Sequence, residues 1–274
     1  MRQRIPRVLT VAGSDSGGGA GIEADIKTIT VLGGYAMAAL TSVTAQNTLG
    51  VTGIYDMAPE AVARQMDAVL EDIGADAVKT GMLSSAPIVE AVAEALRRHG
   101  TPNLVVDPVM VAKSGDPLLR EDARHALKTL LLPLAALITP NVPEAEVLTG
   151  LAVDGAGGVH AVLEALYGLG PRFVLLKGGH LAGDEAADYL FDGERTRIYT
   201  TRRIQTKNTH GTGCTYSAAI AAHLAAGCAM PEAVRLAKDY LTGAIQHSDA
   251  LGLGSGHGPL HHGWTLPDAM RPAR

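Results

Sequence analysis

The stretch HGTGCT, His210 to Thr215, joins a glycine-rich turn to a run of small and apolar residues, Ser217 to Ala226, and sets a cysteine at the junction. Helix-forming residues directly after the glycines put Gly211, Thr212 and Gly213 at a helix N-terminus, whose first N–H groups have no acceptor inside the helix. Such an end can hold a phosphate or a developing oxyanion. Cys214 falls in the first turn, where the helix dipole is expected to lower its pKa and yield a thiolate able to accept a hydroxyl proton. A small buried hydrophobe is the other role open to a free cysteine, and the one expected of Cys228. Two glycines also make an ordinary loop before a packed helix, so other residues must decide.

The first loop, AGSDSGGGAG from Ala12 to Gly21, fits neither GxGxxG nor GxxxxGK[ST], because Lys27 and Thr28 come well after its glycines. It suits close backbone approach to a flat or small ligand better than a pyrophosphate grip. Asp25 and Lys27 follow on the next helix, where an acid and a base on an exposed face are the plain expectation, and the nearby glycines strengthen the functional case for Asp25. In TAQNT, Gln46 and Asn47 follow an apolar strand; they could simply form a turn, but an amide's donor and acceptor also suit the edge of an aminopyrimidine.

Asp107 closes the strand NLVVD, and Asn141 and Glu144 form an NxxE pattern just past ALIT and Pro140. Carboxylates at strand ends are hard oxygen ligands that can hold Mg²⁺ beside substrate phosphates, although Glu144 could equally serve a helix's first turn. Lys177-Gly178-Gly179-His180 after FVLL offers a cation and flexible backbone to nucleotide phosphates. The neighbouring His261 and His262 point in different directions and have no Cys or acidic cluster beside them, so zinc is not expected.

These residues sit at the ends of short Val-, Ile- and Leu-rich runs: Arg7 to Ala12, Ala36 to Val43, Ala77 to Lys79, Leu104 to Asp107, Leu137 to Thr139 and Phe173 to Lys177. Between them lie stretches with helical spacing, Ile22 to Leu32, Pro59 to Asp72, Ala86 to His99, Glu121 to Leu130 and Val159 to Leu169, with Thr212 to Ala226 and Pro231 to Ser248 closing the order. Strands buried on both faces that alternate with helices predict a parallel sheet with right-handed crossovers. From Asp188 to Ile204 the period changes around Asp192-Gly193, predicting an antiparallel hairpin at the sheet edge. Ligands of such sheets bind beyond the carboxyl ends of the strands, and Gly13–Gly21, Thr80–Met82, Asp107–Met110, Asn141–Glu144 and Lys177–His180 all fall there.

With 274 residues and 47% hydrophobic content, the chain can bury one large core, and no linker or low-complexity run divides it, so residues 1–274 are expected to form one domain. A net charge of −5, with 23 basic and 28 acidic residues spread evenly, gives no stripe for nucleic acid. No transmembrane span is present, and Val8 to Ala12 is too short for a signal-peptide core, so a cytoplasmic enzyme is expected. Cys214 and Cys228, fourteen residues apart on one helix and its end, are roughly 20 Å apart and cannot pair.

Seven ordered motifs, AGSDSGGGAGIEADIKT, TAQNT, KTGML, DPVMVAKSGDPLL, TPNVPEAEVL, LKGGH and KNTHGTGCT, resemble the hydroxymethylpyrimidine/phosphomethylpyrimidine kinases of the ribokinase-like superfamily, over about Val8 to His262. The resemblance implies an α/β/α fold in three layers, ATP and Mg²⁺ as cofactors, commonly a homodimer, and two successive phosphorylations that convert 4-amino-5-hydroxymethyl-2-methylpyrimidine to its pyrophosphate for thiamine biosynthesis. By motif, Gly13, Asp25, Gln46, Met82 and Val109 would line the pyrimidine site. Asp107, Asn141 and Glu144 would organise the metal and phosphates, Lys177 and Thr209 would lie towards ATP, and Gly211, Gly213 and the Cys214 N–H would form the anion hole. Cys214 stands where many relatives of the superfamily carry an aspartate base. A pyridoxal kinase of the same fold, a dinucleotide-dependent oxidoreductase and a pyrimidine sensor without activity are the competing readings. Gln46, the missing GxGxxG and the intact phosphate-binding groups argue against them in turn.

Overall fold

The computed structural model describes residues 4–110, 120–180 and 183–267. The segment 111–119 of the motif DPVMVAKSGDPLL lies outside the described residues. Among the described residues, nine strands form one sheet in the order β3-β2-β1-β4-β5-β6-β7-β8-β9: β1 (Arg7–Asp15), β2 (Tyr35–Gln46), β3 (Val51–Asp56), β4 (Ala77–Thr80), β5 (Leu104–Val106), β6 (Leu137–Ile138), β7 (Val174–Leu176), β8 (Glu185–Phe191) and β9 (Thr196–Arg202). The six strands from β2 to β7 run parallel, while β3 at one edge and β8-β9 at the other are antiparallel. The hairpin expected after Asp188 is therefore present. A second antiparallel edge at β3 was not anticipated, because its sequence VTGIYD carries a mid-strand glycine and is mostly exposed.

Among the described residues, eight α-helices cover the two faces: α1 (Gly21–Val31), α2 (Pro59–Asp72), α3 (Ala86–His99), α4 (Glu121–Ala126), α5 (Val142–Thr149), α6 (Gly155–Tyr167), α7 (Thr212–Ala225) and α8 (Met230–Gln246). Val62, Met66, Ile88, Val92, Leu148, Val162 and Leu163 pack α2–α6 against Leu9, Val11, Val78, Leu104 and Val106. Ile29, Tyr216, Ile220, Val234 and Leu241 pack α1, α7 and α8 against Val8, Ala77, Val105 and Leu175 on the opposite face. Alternate residues of each central strand thus feed two separate cores, which is why those strands are largely apolar. The result is the α/β/α fold in three layers expected of a ribokinase-like protein.

The helix expected over Glu121 to Leu130 is helical throughout but changes its winding: α4 passes at Ala126 into a wider turn over Leu127–Leu131 and then a tighter one over Leu132–Leu134, where Pro133 cannot extend a regular helix. In α7 the small residues of TYSAAIAA are almost entirely buried against β1, β4, β5, α1 and α8. Only a helix with such short side chains can lie in the middle of this layer, and α7 is core.

Candidate active site

The carboxyl ends of β1, β4, β5, β6 and β7 open into one cavity of about 660 Å³, within the size of small-molecule sites. Its wall holds Gly13, Gln46, Met82, Asp107, Val109, Asn141, Glu144, Lys177, Thr209, Gly211, Gly213 and Cys214, all proposed from sequence; Asp25 does not line it.

Gly211 is the N-cap of α7, with φ of +82°. A Cβ there would run into the carbonyl oxygen of Gly19, so this position needs glycine both for its backbone angle and for the approach of the first loop. Thr212 ties the turn by donating its hydroxyl to the Thr209 carbonyl at 2.7 Å, and Thr215 N–H closes back on the Gly211 carbonyl at 2.9 Å. The N–H groups of Gly213 and Cys214 lie in the first turn and have no intrahelical acceptor. A Cβ on Gly213 would stand 3.2 Å from Asp107 Oδ2 and 3.3 Å from Lys177 Nζ, so the two charged groups face the bare start of α7.

Those charges are held in place from beneath. Lys177 Nζ donates to Asp107 Oδ1 at 2.8 Å, and Thr139 Oγ1 donates to the same oxygen at 3.1 Å. Burial works against the Lys177 ammonium, but Asp107 and Glu144 outweigh it and keep its pKa above the ordinary lysine value. Asn141 and Glu144 form a reciprocal capping box at the start of α5: the Glu144 N–H donates to Asn141 Oδ1 at 2.9 Å and the Asn141 N–H to Glu144 Oε2 at 2.8 Å. Glu144 thus takes the first-turn capping role weighed for it, and it also lines the cavity. Burial, reinforced by the Asp107 charge and only partly opposed by Lys177, raises its pKa to about 7.

The first loop is organised around Asp15, which sequence reasoning passed over. Its buried carboxylate accepts the N–H groups of Gly17, Gly19 and Ala20 at 2.8, 3.0 and 2.8 Å, and meets His210 Nε2 at 2.7 Å. Burial would raise the Asp15 pKa, but His210 and the loop N–H groups together hold it below the usual carboxylate value. This pair fastens the glycine loop to the residue directly before the α7 turn. Gln46 Nε2 lies 3.4 Å from His210 Nε2, so the amide expected to read a polar ring edge sits at the same junction. An aspartate two residues before a glycine is a common turn acceptor, and that was the available signal.

Two expectations are corrected by burial. Asp25 is no solvated acid but lies wholly in the core, with Lys79 Nζ donating to its two oxygens at 3.0 and 2.8 Å and Thr10 Oγ1 at 2.5 Å. Lys27 is the exposed member, donating to the Gly18 carbonyl at 2.7 Å. Burial pushes the Cys214 thiol up to about 11, with Lys79 opposing it, so the free protein does not carry the thiolate that the helix dipole suggested. Burial disfavours the charged form of the thiol at this position. Cys228 is half-buried and packs against the α7-side core. His262 is buried beside Thr215 Oγ1 at 3.0 Å.

The family model for phosphomethylpyrimidine kinase matches residues 15–261. A hydroxymethylpyrimidine/phosphomethylpyrimidine kinase of Streptomyces coelicolor is 52% identical over 261 residues, covering 95% of this chain and 96% of that protein. The thiamine biosynthesis bifunctional protein ThiED of Geobacter sulfurreducens is 52% identical over 95% of this chain, which spans about half (53%) of that longer protein. Among solved structures, the ADP complex of Bacillus subtilis pyridoxal kinase superposes with a TM-score of 0.86 at 36% identity, over 94% of this chain and 98% of that one. With the matched model spanning the cavity and nearly the whole chain, the protein belongs to the phosphomethylpyrimidine kinase family.

Proposed function

We propose that the chain transfers the γ-phosphoryl group of ATP to the hydroxymethyl group of 4-amino-5-hydroxymethyl-2-methylpyrimidine, and then to the resulting monophosphate, giving the pyrophosphate used to make thiamine. One observation carries the reading: a single cavity sets the open N-terminus of α7 against the Lys177–Asp107 pair and sets Gln46 beside the first loop. Phosphoryl transfer needs in-line positioning and compensation of the equatorial oxygens' charge more than covalent help. The N–H groups of Gly213 and Cys214 and the Lys177 ammonium supply that compensation. Gly13, Met82 and Val109 offer apolar surface to the ring, and Gln46 offers its amide to the ring's polar edge.

The donor set fits a magnesium ion. Asp107 uses Oδ1 for Thr139 and Lys177 and turns Oδ2 towards Gly213, while Glu144 is a second buried carboxylate whose raised pKa a nearby cation would lower. Asp107 and Glu144 would hold the ion, directly or through water, and Asn141, Lys177 and Thr209 would face the nucleotide. When bound, it would neutralise charge on the nucleotide phosphates. We further read residues 1–274 as one kinase domain that works in the cytoplasm as a homodimer. The exposed Val43, Leu49, Ile54 and Tyr55 around the β2–β3 edge support a covered surface there.

ATP consumption with Mg²⁺ tests the function, with hydroxymethylpyrimidine, its monophosphate and pyridoxal offered separately and the products resolved by mass. Turnover of both pyrimidines and little of pyridoxal is expected. Turnover of pyridoxal alone would move the assignment to vitamin B6 salvage, the reading favoured by the likeness to the pyridoxal kinase.

A further inference from the structure

Ser14, Asp15, Thr44, Gln46 and His210 all line the cavity where the first loop meets the start of α7, and they are joined by one run of hydrogen bonds. Thr44 stands beside Asp15 in the β1–β2 register, and its hydroxyl donates to the Ser14 carbonyl at 2.8 Å. Gln46 lies two residues further along β2, on the same face of the strand. The Ser16 hydroxyl pins its backbone, accepting the Gln46 N–H and donating to the Gln46 carbonyl, both at 2.8 Å. The Gln46 amide is left between Thr44 Oγ1 at 3.1 Å and His210 Nε2 at 3.4 Å, and His210 Nε2 is itself 2.7 Å from Asp15 Oδ2.

The hydrogens of this junction have one consistent arrangement. Asp15 accepts the N–H groups of Gly17, Gly19 and Ala20, and although burial works against its charge, these donors and His210 keep it ionised. An ionised carboxylate can only accept, so His210 Nε2 carries the hydrogen between them and has no lone pair to offer Gln46. The single Thr44 hydroxyl hydrogen goes to the Ser14 carbonyl, the nearer of its two partners, which leaves Thr44 Oγ1 as an acceptor. Both demands are met only when the Gln46 amide turns its oxygen to His210 and its nitrogen to Thr44, an assignment made from the network of donors and acceptors. We propose that the Asp15–His210 pair and Thr44 hold the Gln46 amide in this one orientation and are thereby positioning residues that set which ring edge the site reads. With one N–H given to Thr44 and one oxygen lone pair to His210, the amide keeps one donor and one acceptor for a ligand. These match an amino group beside a ring nitrogen and oppose an oxo group beside a ring N–H, whose pattern is reversed. To serve the oxo ring the amide must turn over, which sets its N–H against the His210 N–H and its oxygen against the Thr44 oxygen. The inference rests on the function proposed above, in which Gln46 meets the polar edge of an aminopyrimidine.

The test measures kcat/KM, with ATP and Mg²⁺, for 4-amino-5-hydroxymethyl-2-methylpyrimidine and for its 4-oxo counterpart, in the full chain and in H210L, H210Q and T44V. The parent is expected to favour the amino ring by about 10³-fold or more, as sites built to hydrogen-bond a substrate group do. H210L and T44V release opposite ends of the amide, and each is expected to lower that ratio by about tenfold or more, the weight of one hydrogen bond. H210Q keeps an N–H within reach of Asp15 and Gln46 and should hold the ratio within about threefold of the parent. A loosened site slows both rings alike and leaves the ratio where it was, so the ratio separates positioning from structural damage. An unchanged ratio in H210L or T44V, whichever folds, overturns the proposal, and so does a parent that accepts both rings equally or an H210Q ratio as low as that of H210L; none of these touches the proposed function. A parent that turns over neither ring refutes that function instead, and calorimetric binding of the two rings to the same proteins then supplies the ratio. Binding of neither ring overturns both.

Discussion

Replacing Gly213 by alanine separates what the start of α7 does for the fold from what it does for transfer. The added methyl group would stand 3.2 Å from Asp107 Oδ2 and 3.3 Å from Lys177 Nζ, a few tenths of an ångström inside comfortable contact. Both atoms are the ends of side chains and can yield, and alanine is favoured over glycine inside a helix by about 0.5–1 kcal/mol. The two effects nearly offset each other, so Tm should stay within about 3 °C of the parent. Catalysis has no such compensation. The methyl group fills the space between the free N–H groups and the Lys177–Asp107 pair, where a transferring oxygen must come. Losing one preorganised donor of this kind costs about 10²–10³ in kcat. Release of ADP in a coupled assay with hydroxymethylpyrimidine, beside a melting curve, reads both quantities. A Gly213→Ala protein that melts like the parent and keeps kcat within about threefold would refute the anion-hole reasoning.

Gly211→Ala should behave differently, because φ of +82° and the overlap with the Gly19 carbonyl oxygen strain the backbone itself; a loss of about 2 kcal/mol or more is expected, and a melting temperature within a degree of the parent would contradict it. His262 supplies a pH dependence. Burial depresses its pKa from 6.5 to about 4, so between those values the unfolded chain binds a proton that the folded chain refuses, and stability falls as pH falls through that window. Between pH 7.5 and pH 5 the parent should lose about 2 kcal/mol more than His262→Gln, a variant that can still meet the Thr215 hydroxyl. Urea titrations at the two pH values measure this, and parallel losses in the two proteins would remove His262 as the cause.

Local signals made much of the site legible. HGTGC followed by small apolar residues describes a helix start wherever the chain places it, and a strand ending in Asp107, or one leading to Asn141 and Glu144, brings its polar residues to the rim of a parallel sheet. The alternation of runs such as VLTVA and FVLL with helical stretches likewise specified the layers, because strands buried on both faces need helices above and below. The β3 strand escaped notice because an exposed edge strand with Gly53 in its middle carries no burial pattern.

The residue types and their order fixed the fold class, the polar rim of the cavity and the family. Tertiary structure alone decided which charges meet water and which meet one another. Asp25 and Lys79 are 54 positions apart and Asp15 and His210 are 195 apart, and no local pattern announces either pairing. Whether Cys214 is a thiolate or a thiol also turns on burial, the largest influence on its pKa. Desolvation and Coulomb energies depend on distances through the folded protein, and those distances exist only once the sheet has brought its strand ends together.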